Sequence, residues 1–348
     1  MRNDGSFTLK RNGYDPFVDF LKGICIFLVI LTHCLPYFIR YYILFPLWGN
    51  IAVPIFLMIQ VFHAIKKGYD NVNVNYSKLW HRIIKPFVLV ECVIILLSLI
   101  MMRWGGQIVW DEFFYFIMKN GGLGHGCFFP WVFIQFAIII PLAVPLFKRL
   151  KGWELAIGFV VISELFEILS SLICIPEYVY RLIFLRYVML IYLGYILTMK
   201  GYAINIKTFI ISILSLTSLC FCSYSDIDFS PFIFNSKWRS CHWMCYFYIL
   251  YLVMFLLSWL YKKGLKKQWL GRYIKKMGRC SYEIFLFQLF YFALLHSLVV
   301  ETLSLFFMSK IAAHSIATIL VFVICIGGVV AFHDWRKKYK REINVSYR

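Results

Sequence analysis

The sequence predicts an all-α protein that crosses a membrane about ten times, with both termini in the cytoplasm. Of its 348 residues, 61% are hydrophobic, and the mean hydropathy is +0.75. Only 15% of the residues are charged, well below the quarter that is usual in soluble domains. A soluble fold cannot bury so much apolar surface, and the composition therefore indicates a polytopic membrane protein.

Ten apolar stretches are long enough to form membrane-spanning helices, which need about 20 residues each. An even number of spans agrees with both termini lying on one side. We predict one membrane domain, with a helical core at about 15–333 and a basic C-terminal tail at 334–348. The predicted helices are 15–36, 43–62, 83–102, 128–147, 153–174, 182–199, 203–222, 243–261, 281–300 and 315–333.

The positive charge follows the predicted spans and does not form one basic surface. The formal net charge is +19, but 26 of the 36 Lys and Arg residues lie in alternate connecting segments, seven in the intervening segments and three within spans. This positive-inside bias places the basic segments in the cytoplasm. It indicates the lipid bilayer as a partner and argues against nucleic acid. We expect a multi-pass protein of the cell membrane, that is, an inner or plasma membrane.

Two loops on the opposite side are longer than a simple connection requires, 103–127 and 223–242. Apolar residues of the first loop recur at helical spacing, which predicts a helix along the membrane interface. These residues are Trp110, Phe113, Phe114 and Ile117. Both loops either line the entrance of an acceptor site or merely connect helices.

The first predicted helix carries a lysine and a histidine on nearly the same face. Lys22 and His33 are eleven residues apart, so three turns separate them by about 16 Å along the axis. That distance is roughly half of the hydrocarbon core of a bilayer. If Lys22 lies at the membrane surface, His33 lies near the midplane, where an ionisable residue indicates function. The alternative is a histidine that hydrogen-bonds a neighbouring helix.

Further basic residues lie at the cytoplasmic ends of the early spans. Arg82 and Lys85 share a helical face at i, i+3. Together with Lys22 they either hold a polyanion, such as the phosphates of coenzyme A, or are ordinary positive-inside residues. A glycine-rich phosphate loop does not occur in the sequence.

The eleven cysteines include no CxxC pair, so we predict neither a metal site nor a redox site. Most of them lie in apolar spans, where cysteine behaves as a small hydrophobic residue. Cys127 and Cys241 both lie in outward loops, and the sequence leaves open whether they pair. We expect no permanently bound cofactor.

Six sequence blocks occur in an order that resembles acyltransferase family 3, the integral membrane O-acyltransferases that act on sugars and polysaccharides. The first block is the basic residue followed, after ten residues, by a histidine. In this chain lysine stands where the family usually has arginine, Ile59 to Phe62 replace a Ser-Gly-Phe, and Gln288 replaces a frequent histidine. The blocks are Lys22 to His33, NIAVPIFLMIQVFHAIKKG, RIIKP at 82–86, FFPWVFIQFAIIIPL at 128–142, FLRYVMLIYLGYIL at 184–197 and MGRCSYEIFLFQLFYF at 277–292.

The resemblance implies an acyl-CoA-dependent O-acetyltransferase. In such an enzyme, acetyl-CoA or another acyl-CoA is the cytoplasmic co-substrate, and the acceptor is a hydroxyl of a cell-surface polysaccharide or lipid-linked sugar. His33 would be the catalytic residue, as general base or as acyl carrier. The acyl-CoA-binding residues would be Lys22, Arg82, Lys85 and Arg186, the last because an arginine inside a span indicates function.

Polar residues in or near other spans are possible substrate-lining residues. Glu164 and Glu167 share one face of the fifth span and would partner Arg186 or a substrate. Gln135 and Gln288 bind substrate or, in the favoured interpretation, hold helices together. His125, a loop histidine between glycines, contacts a sugar or is incidental.

Two other functions fit a polytopic membrane protein. A transporter or flippase of lipid-linked sugars would often show an internal repeat, and we find none. A polysaccharide polymerase would be expected to carry a larger outward loop than the roughly 25 residues of 103–127. Both alternatives leave the spacing of Lys22 and His33 unexplained.

Overall fold

The computed structural model describes residues 14–35, 44–66, 74–105, 110–225, 227–236, 238–306 and 310–346. Within these ranges the chain folds into helices and has no β-strand. Nine of the described helices are long and apolar enough to cross a membrane. The predicted all-α, polytopic fold class is therefore confirmed, whereas the direction of the chain across the membrane stays a prediction.

Each of the ten predicted spans corresponds to a helix. The sixth is shorter than the other nine and begins with a 3₁₀ turn, Phe184–Tyr187. Numbered in chain order, the main helices are α1 Pro16–Cys34, α2 Phe45–Lys66, α3 Tyr76–Met102, α4 Trp110–Asn120, α5 Phe128–Arg149, α6 Gly152–Leu172, α7 Phe184–Met199, α8 Ile206–Tyr224, α9 Trp243–Leu265, α10 Trp269–Arg279, α11 Ser281–Phe306 and α12 Ala312–Tyr339.

Helix α1 lies in the centre of the bundle, in contact with α2, α10, α11 and α12. It begins after Asp15, whose side chain accepts a 2.9 Å hydrogen bond from the backbone N–H of Phe17. Pro16 occupies the first turn, where a missing N–H does no harm. Leu21 and Ile30 are completely buried, so this helix is enclosed by protein along most of its length.

Two glycines bring α1 and α10 into backbone contact. A Cβ atom on Gly278 would lie 1.7 Å from the carbonyl oxygen of Asp19, and one on Gly23 would lie 2.0 Å from that of Ile274. No side chain fits at such distances. Small residues therefore let the two helices approach closely, as is common in membrane bundles.

Helix α4 confirms that the segment 103–127 contains a helix, as its apolar spacing predicts. Phe113 is buried, whereas the side chains of Trp110, Phe114 and Met118 are exposed. An exposed apolar face is typical of a helix that lies in the membrane interface, and that placement stays a prediction.

The basic tail is helical, because the helix Val329–Ser346 continues past the end of the apolar segment given as α12. A short helix, Glu177–Leu182, precedes α7.

Candidate functional site

A cavity of about 300 Å³ lies between α1, α2, α5 and α11. Helix α1 contributes both Lys22 and His33 to its wall, so the structure brings these two predicted residues into one site. We call the two sides of the cavity the Lys22 end and the His33 end. The residues that line the Lys22 end include Gln60, His63, Ile83, Ser281 and Tyr282, and those that line the His33 end include Asn50, Gly126, Trp238 and Cys241.

A buried carboxylate organises the Lys22 end. Asp19 accepts a 2.5 Å hydrogen bond from the hydroxyl of Tyr14 and lies 2.9 Å from Nζ of Lys22 and 3.2 Å from Nε of Arg279. Nη2 of Arg279 also donates to the Tyr14 hydroxyl over 2.8 Å, and this contact is the main reason why the pKa of Arg279 is raised. Two cations thus share one carboxylate, which leaves a net positive charge at this end.

The sequence did not reveal that Lys22 and Arg279 share the carboxylate of Asp19. Asp19 and Arg279 are 260 residues apart in the chain, so no local pattern connects them. The available signal was Asp19 itself, a charged residue one turn before Lys22 in an apolar helix.

Arg82 and Lys85 are exposed and do not line the cavity. The segment Trp80–Ile84 forms a wider turn, in which the N–H of Lys85 bonds the carbonyl of Trp80. The turn before Lys85 is therefore wider than an α-helical turn, and the predicted joint role of Arg82 and Lys85 stays a prediction. Their neighbour Ile83 lines the Lys22 end and accepts a 2.6 Å hydrogen bond from Tyr282, so both cations lie on the surface next to this end.

At the His33 end, two histidine rings are stacked. The ring centroids of His33 and His125 are 5.2 Å apart, with an interplanar angle of 17°. Phe292 packs edge-on against both rings, at 5.7 Å and 5.8 Å. His33 is half-buried and lines the cavity, whereas His125 is exposed on the outer side of the pair. The structure thus brings together two histidines that are separate candidates in the sequence analysis.

The backbone of the loop 121–127 allows this stacking because of its glycines. Gly121, Gly122 and Gly126 have φ angles of +72°, +148° and +95°, a region that other residues rarely adopt. A Cβ atom on Gly126 would lie 3.7 Å from Nε2 of His33, an ordinary contact distance, so the φ angle and not the lack of space favours glycine here. Trp131 fixes the start of the loop with a 2.7 Å hydrogen bond from Nε1 to the carbonyl of Gly121.

Glu91 holds the same loop from α3. Its carboxylate accepts a 2.9 Å hydrogen bond from the backbone N–H of Leu123 and a 3.0 Å bond from Sγ of Cys127. Burial and the negative charge of Glu91 raise the pKa of the Cys127 thiol, so it stays protonated and donates. Cys127 and Cys241 are both unbridged in the structure. The sequence indicated no role for Glu91, because its partners lie more than 30 residues further along the chain.

The two predicted glutamines both hold backbone groups. Gln288 is completely buried and donates from Nε2 to the carbonyl of His125 over 3.3 Å, so it supports the loop. Gln135 donates to the carbonyl of Leu182 over 2.8 Å and accepts from the N–H of Phe184 over 3.1 Å. It thereby fastens α5 to the start of α7, in line with the favoured structural interpretation.

Glu164 and Glu167 lie outside the cavity and form no ion pair with Arg186. Glu164 accepts a 2.7 Å hydrogen bond from Nε1 of Trp243 and lies 3.6 Å from Nε2 of His242. Glu167 accepts a 2.6 Å bond from the hydroxyl of Tyr180 and a 2.9 Å bond from the N–H of Phe234. Both glutamates therefore anchor the connection between α8 and α9 and its neighbours. Neither glutamate lines the cavity that Lys22 and His33 share, and a role of either in substrate binding stays a prediction.

Arg186 is buried behind the wall of the His33 end. Its guanidinium lies 4.2 Å from the ring centroid of Tyr187 and 5.0 Å from that of Trp238, and both rings line the cavity. Nη2 donates to the Tyr187 hydroxyl, while Nε and Nη1 have no hydrogen-bond partner among the described residues. Arg186 thus contacts rings that line the cavity without lining it itself, and its predicted role in acyl-CoA binding stays a prediction.

Several cavity residues had no assigned role in the sequence. His63, in the last turn of α2, lines the cavity. Gln60 also lines the cavity and donates a 2.9 Å hydrogen bond to the carbonyl of Phe133. A uniformly apolar helix such as α2 does not reveal which face is internal, so the sequence could not select them. In the part of the chain that the structure describes, no group of three or more His, Cys, Asp or Glu side chains is placed to hold a metal ion.

The fold and the cavity define a polytopic helical membrane protein with an internal cavity whose mainly apolar wall carries Lys22 and His33. A family model described as an acyltransferase domain, that of acyltransferase family 3, matches residues 15–337, nearly the whole chain. The chain belongs to this family, which confirms the resemblance of the six sequence blocks and makes the protein a membrane acyltransferase. No curated protein and no solved structure matches the chain.

Proposed function

We propose that the protein transfers an acyl group, most simply acetyl, from cytoplasmic acyl-CoA to a hydroxyl of a cell-surface polysaccharide or lipid-linked sugar at the cell membrane. The observation that carries this proposal is the cavity that Lys22 and His33 share. The two residues are about 16 Å apart along α1, a distance that an extended pantetheine arm spans. A donor bound at the Lys22 end thereby presents its thioester to His33.

The Lys22 end suits a phosphate-bearing donor because its charges do not cancel. Asp19 neutralises only one of the two cations, Lys22 and Arg279, that it contacts. Lysine holds phosphate as a point charge and lacks the bidentate geometry of arginine. Arg82 and Lys85, exposed beside this end, extend the positive surface toward the nucleotide phosphates.

His33 supplies the chemistry in this proposal. An imidazole accepts a proton near neutral pH, so it can act as general base toward the acceptor hydroxyl. It can equally attack the thioester and carry the acyl group. The acceptor reaches it from the His33 end, where Asn50 and the ring of Trp238 line the cavity.

The test is transfer from labelled acetyl-CoA by the protein in liposomes, with mass spectrometry of surface glycans from cells with and without it. His33→Gln keeps hydrogen bonding but removes the basic nitrogen, so we expect normal abundance and a loss of transfer of about 10²- to 10⁴-fold. His81→Gln is the matched control, because His81 is exposed and outside the cavity. Near-normal transfer by His33→Gln would show that His33 is structural.

A further inference from the structure

We propose that His125 is a second catalytic residue, the base that deprotonates the acceptor hydroxyl while His33 carries the acyl group. This inference rests on the proposed function. Its basis is the position of the two stacked rings, which contact each other although one faces the cavity and the other faces the outside. His33 lines the cavity that leads to Lys22, whereas His125 is exposed and does not line that cavity. A donor in the cavity meets His33, and an acceptor from outside meets His125.

The construction of the loop supports a specific role for His125. Glu91 in α3, Gln288 in α11 and Trp131 in α5 each bind the segment 121–127. Three helices therefore hold one short loop, and the side chain that this loop presents beside His33 is an imidazole. These hydrogen bonds fix the backbone on both sides of His125, so its imidazole is held at one place beside His33.

Packing around the pair keeps the two rings together. Phe292 touches both imidazoles edge-on and separates them from His296, whose ring centroid is 5.0 Å from that of Phe292. Gly124 also packs closely on α11, because a Cβ atom there would lie 3.0 Å from Cβ of Leu289. His296 is thus a nearby histidine outside the stacked pair.

In the first step, a ring nitrogen of His33 attacks the thioester carbonyl carbon. A C–N bond forms, the C–S bond breaks, and coenzyme A leaves as a thiolate, with the acyl group on the His33 imidazolium. In the second step, the acceptor oxygen attacks the same carbon and gives its proton to His125. The C–N bond then breaks, and its electron pair returns to His33. The proton on His125 passes through water to the thiolate, so the products are an ester and coenzyme A thiol.

The experiment separates the two steps in the full-length protein in liposomes. Labelled acetyl-CoA is added without acceptor, the reaction is rapidly quenched, and the label on the protein is measured. Methyl glucoside or water then serves as the hydroxyl acceptor. Hydroxylamine serves as a strong nucleophile that needs little help from a base. The variants are His125→Gln, His33→Gln and, as matched control, His296→Gln.

We expect His125→Gln to take up label like the wild type but to discharge it to methyl glucoside and water about 10²- to 10⁴-fold more slowly, with discharge to hydroxylamine much less affected. His296→Gln should behave as the wild type. His125→Ala should regain part of its discharge rate when imidazole is added, because His125 is exposed. A residue that only positions the loop would show no such rescue.

Discharge of His125→Gln at the wild-type rate would overturn this inference and leave the proposed function standing. A wild-type enzyme that transfers acetyl but never carries label would overturn it as well, because His33 would then act without a covalent intermediate. If the wild-type protein shows neither label nor transfer, the proposed function itself fails.

Discussion

Lys22 belongs to a small network of polar side chains around Asp19. It lies 2.9 Å from the buried carboxylate of Asp19, which Arg279 and Tyr14 also contact. Because Arg279 remains beside Asp19, removal of Lys22 does not leave that carboxylate without a cation. The effect of a substitution at Lys22 should therefore fall on donor binding and not on folding.

We predict that Lys22→Ala raises the KM for acetyl-CoA by about tenfold, since a hydrogen bond to a charged group contributes about 1.5–3 kcal/mol. Lys22→Arg should keep most of the affinity because it keeps the charge. Steady-state kinetics at two salt concentrations measure both effects, and the wild-type KM should rise with salt. Lys200→Ala removes an equal charge from an exposed position outside the cavity and is the control. An unchanged KM for Lys22→Ala would exclude a phosphate contact.

Arg186 is a buried cation that aromatic rings surround. Its predicted role as a donor contact stays a prediction. Such rings stabilise a guanidinium through their negative faces. Arg181 is also close, and burial together with the charge of Arg186 lowers its pKa. The sequence showed that Arg186 lies in a span, but not which end of the cavity it is near.

At the scale of elements, the contact between α1 and α10 connects the Lys22 end of the cavity to the basic segment before α11. Gly278 belongs to the sequence block that also supplies Ser281 and Tyr282 to the cavity. Its lack of a side chain permits the backbone of α10 to lie on that of Asp19. This contact positions Arg279 beside the Asp19 carboxylate.

We predict that Gly278→Ala destabilises the protein by about 1–3 kcal/mol, the usual cost of an added group in a packed core. The added Cβ would lie 1.7 Å from a carbonyl oxygen, so the two helices must separate. Gly158→Ala is the matched control, because no atom beyond the adjacent residues and the backbone of its own helix lies within 4 Å of its Cβ position in α6. Thermal unfolding in detergent measures both variants. Equal midpoints for Gly278→Ala and Gly158→Ala would contradict the close packing of α1 and α10.

A second element-scale prediction concerns the loop 121–127. Glu91→Gln leaves one acceptor oxygen for two donors, the N–H of Leu123 and the thiol of Cys127. We expect faster hydrogen exchange of the Leu123 amide and a fall in transfer of about tenfold, at normal abundance, since a lost hydrogen bond to a charged group costs about 1.5–3 kcal/mol. Glu283→Gln, at an exposed glutamate of α11, should change neither. Unaltered exchange at Leu123 in Glu91→Gln would show that other contacts hold the loop.

At the scale of the whole molecule, the sequence predicted what depends on local composition. The spans follow from runs of apolar residues, and the shared face of Lys22 and His33 follows from helical periodicity. The network of Asp19 with Arg279 and the pairing of His33 with His125 join distant parts of the chain. One sequence shows no signal for such contacts, because they depend on how the helices pack.

The orientation of the protein in the membrane decides which compartment each end of the cavity faces. The connections at the Lys22 end include the basic segment 261–279, and the connections at the His33 end include 223–242. If the first of these faces the cytoplasm, as the positive-inside bias predicts, the donor site opens to the compartment that holds acyl-CoA. The reverse orientation would place His125 and the acceptor side in the cytoplasm.

We therefore predict that a reporter fused after Lys266 lies in the cytoplasm and that one fused after Ser230 lies on the opposite side. The physical reason is that the segment around Lys266 carries a dense run of Lys and Arg, whose transfer across the membrane is unfavourable. Paired reporters, one active only inside and one only outside, measure each position. Two fusions on the same side would contradict the crossing of the membrane by α9, and with it the predicted ten spans. Two fusions on exchanged sides would keep the helices but place Lys22 away from cytoplasmic acyl-CoA, and the proposed direction of transfer would be wrong.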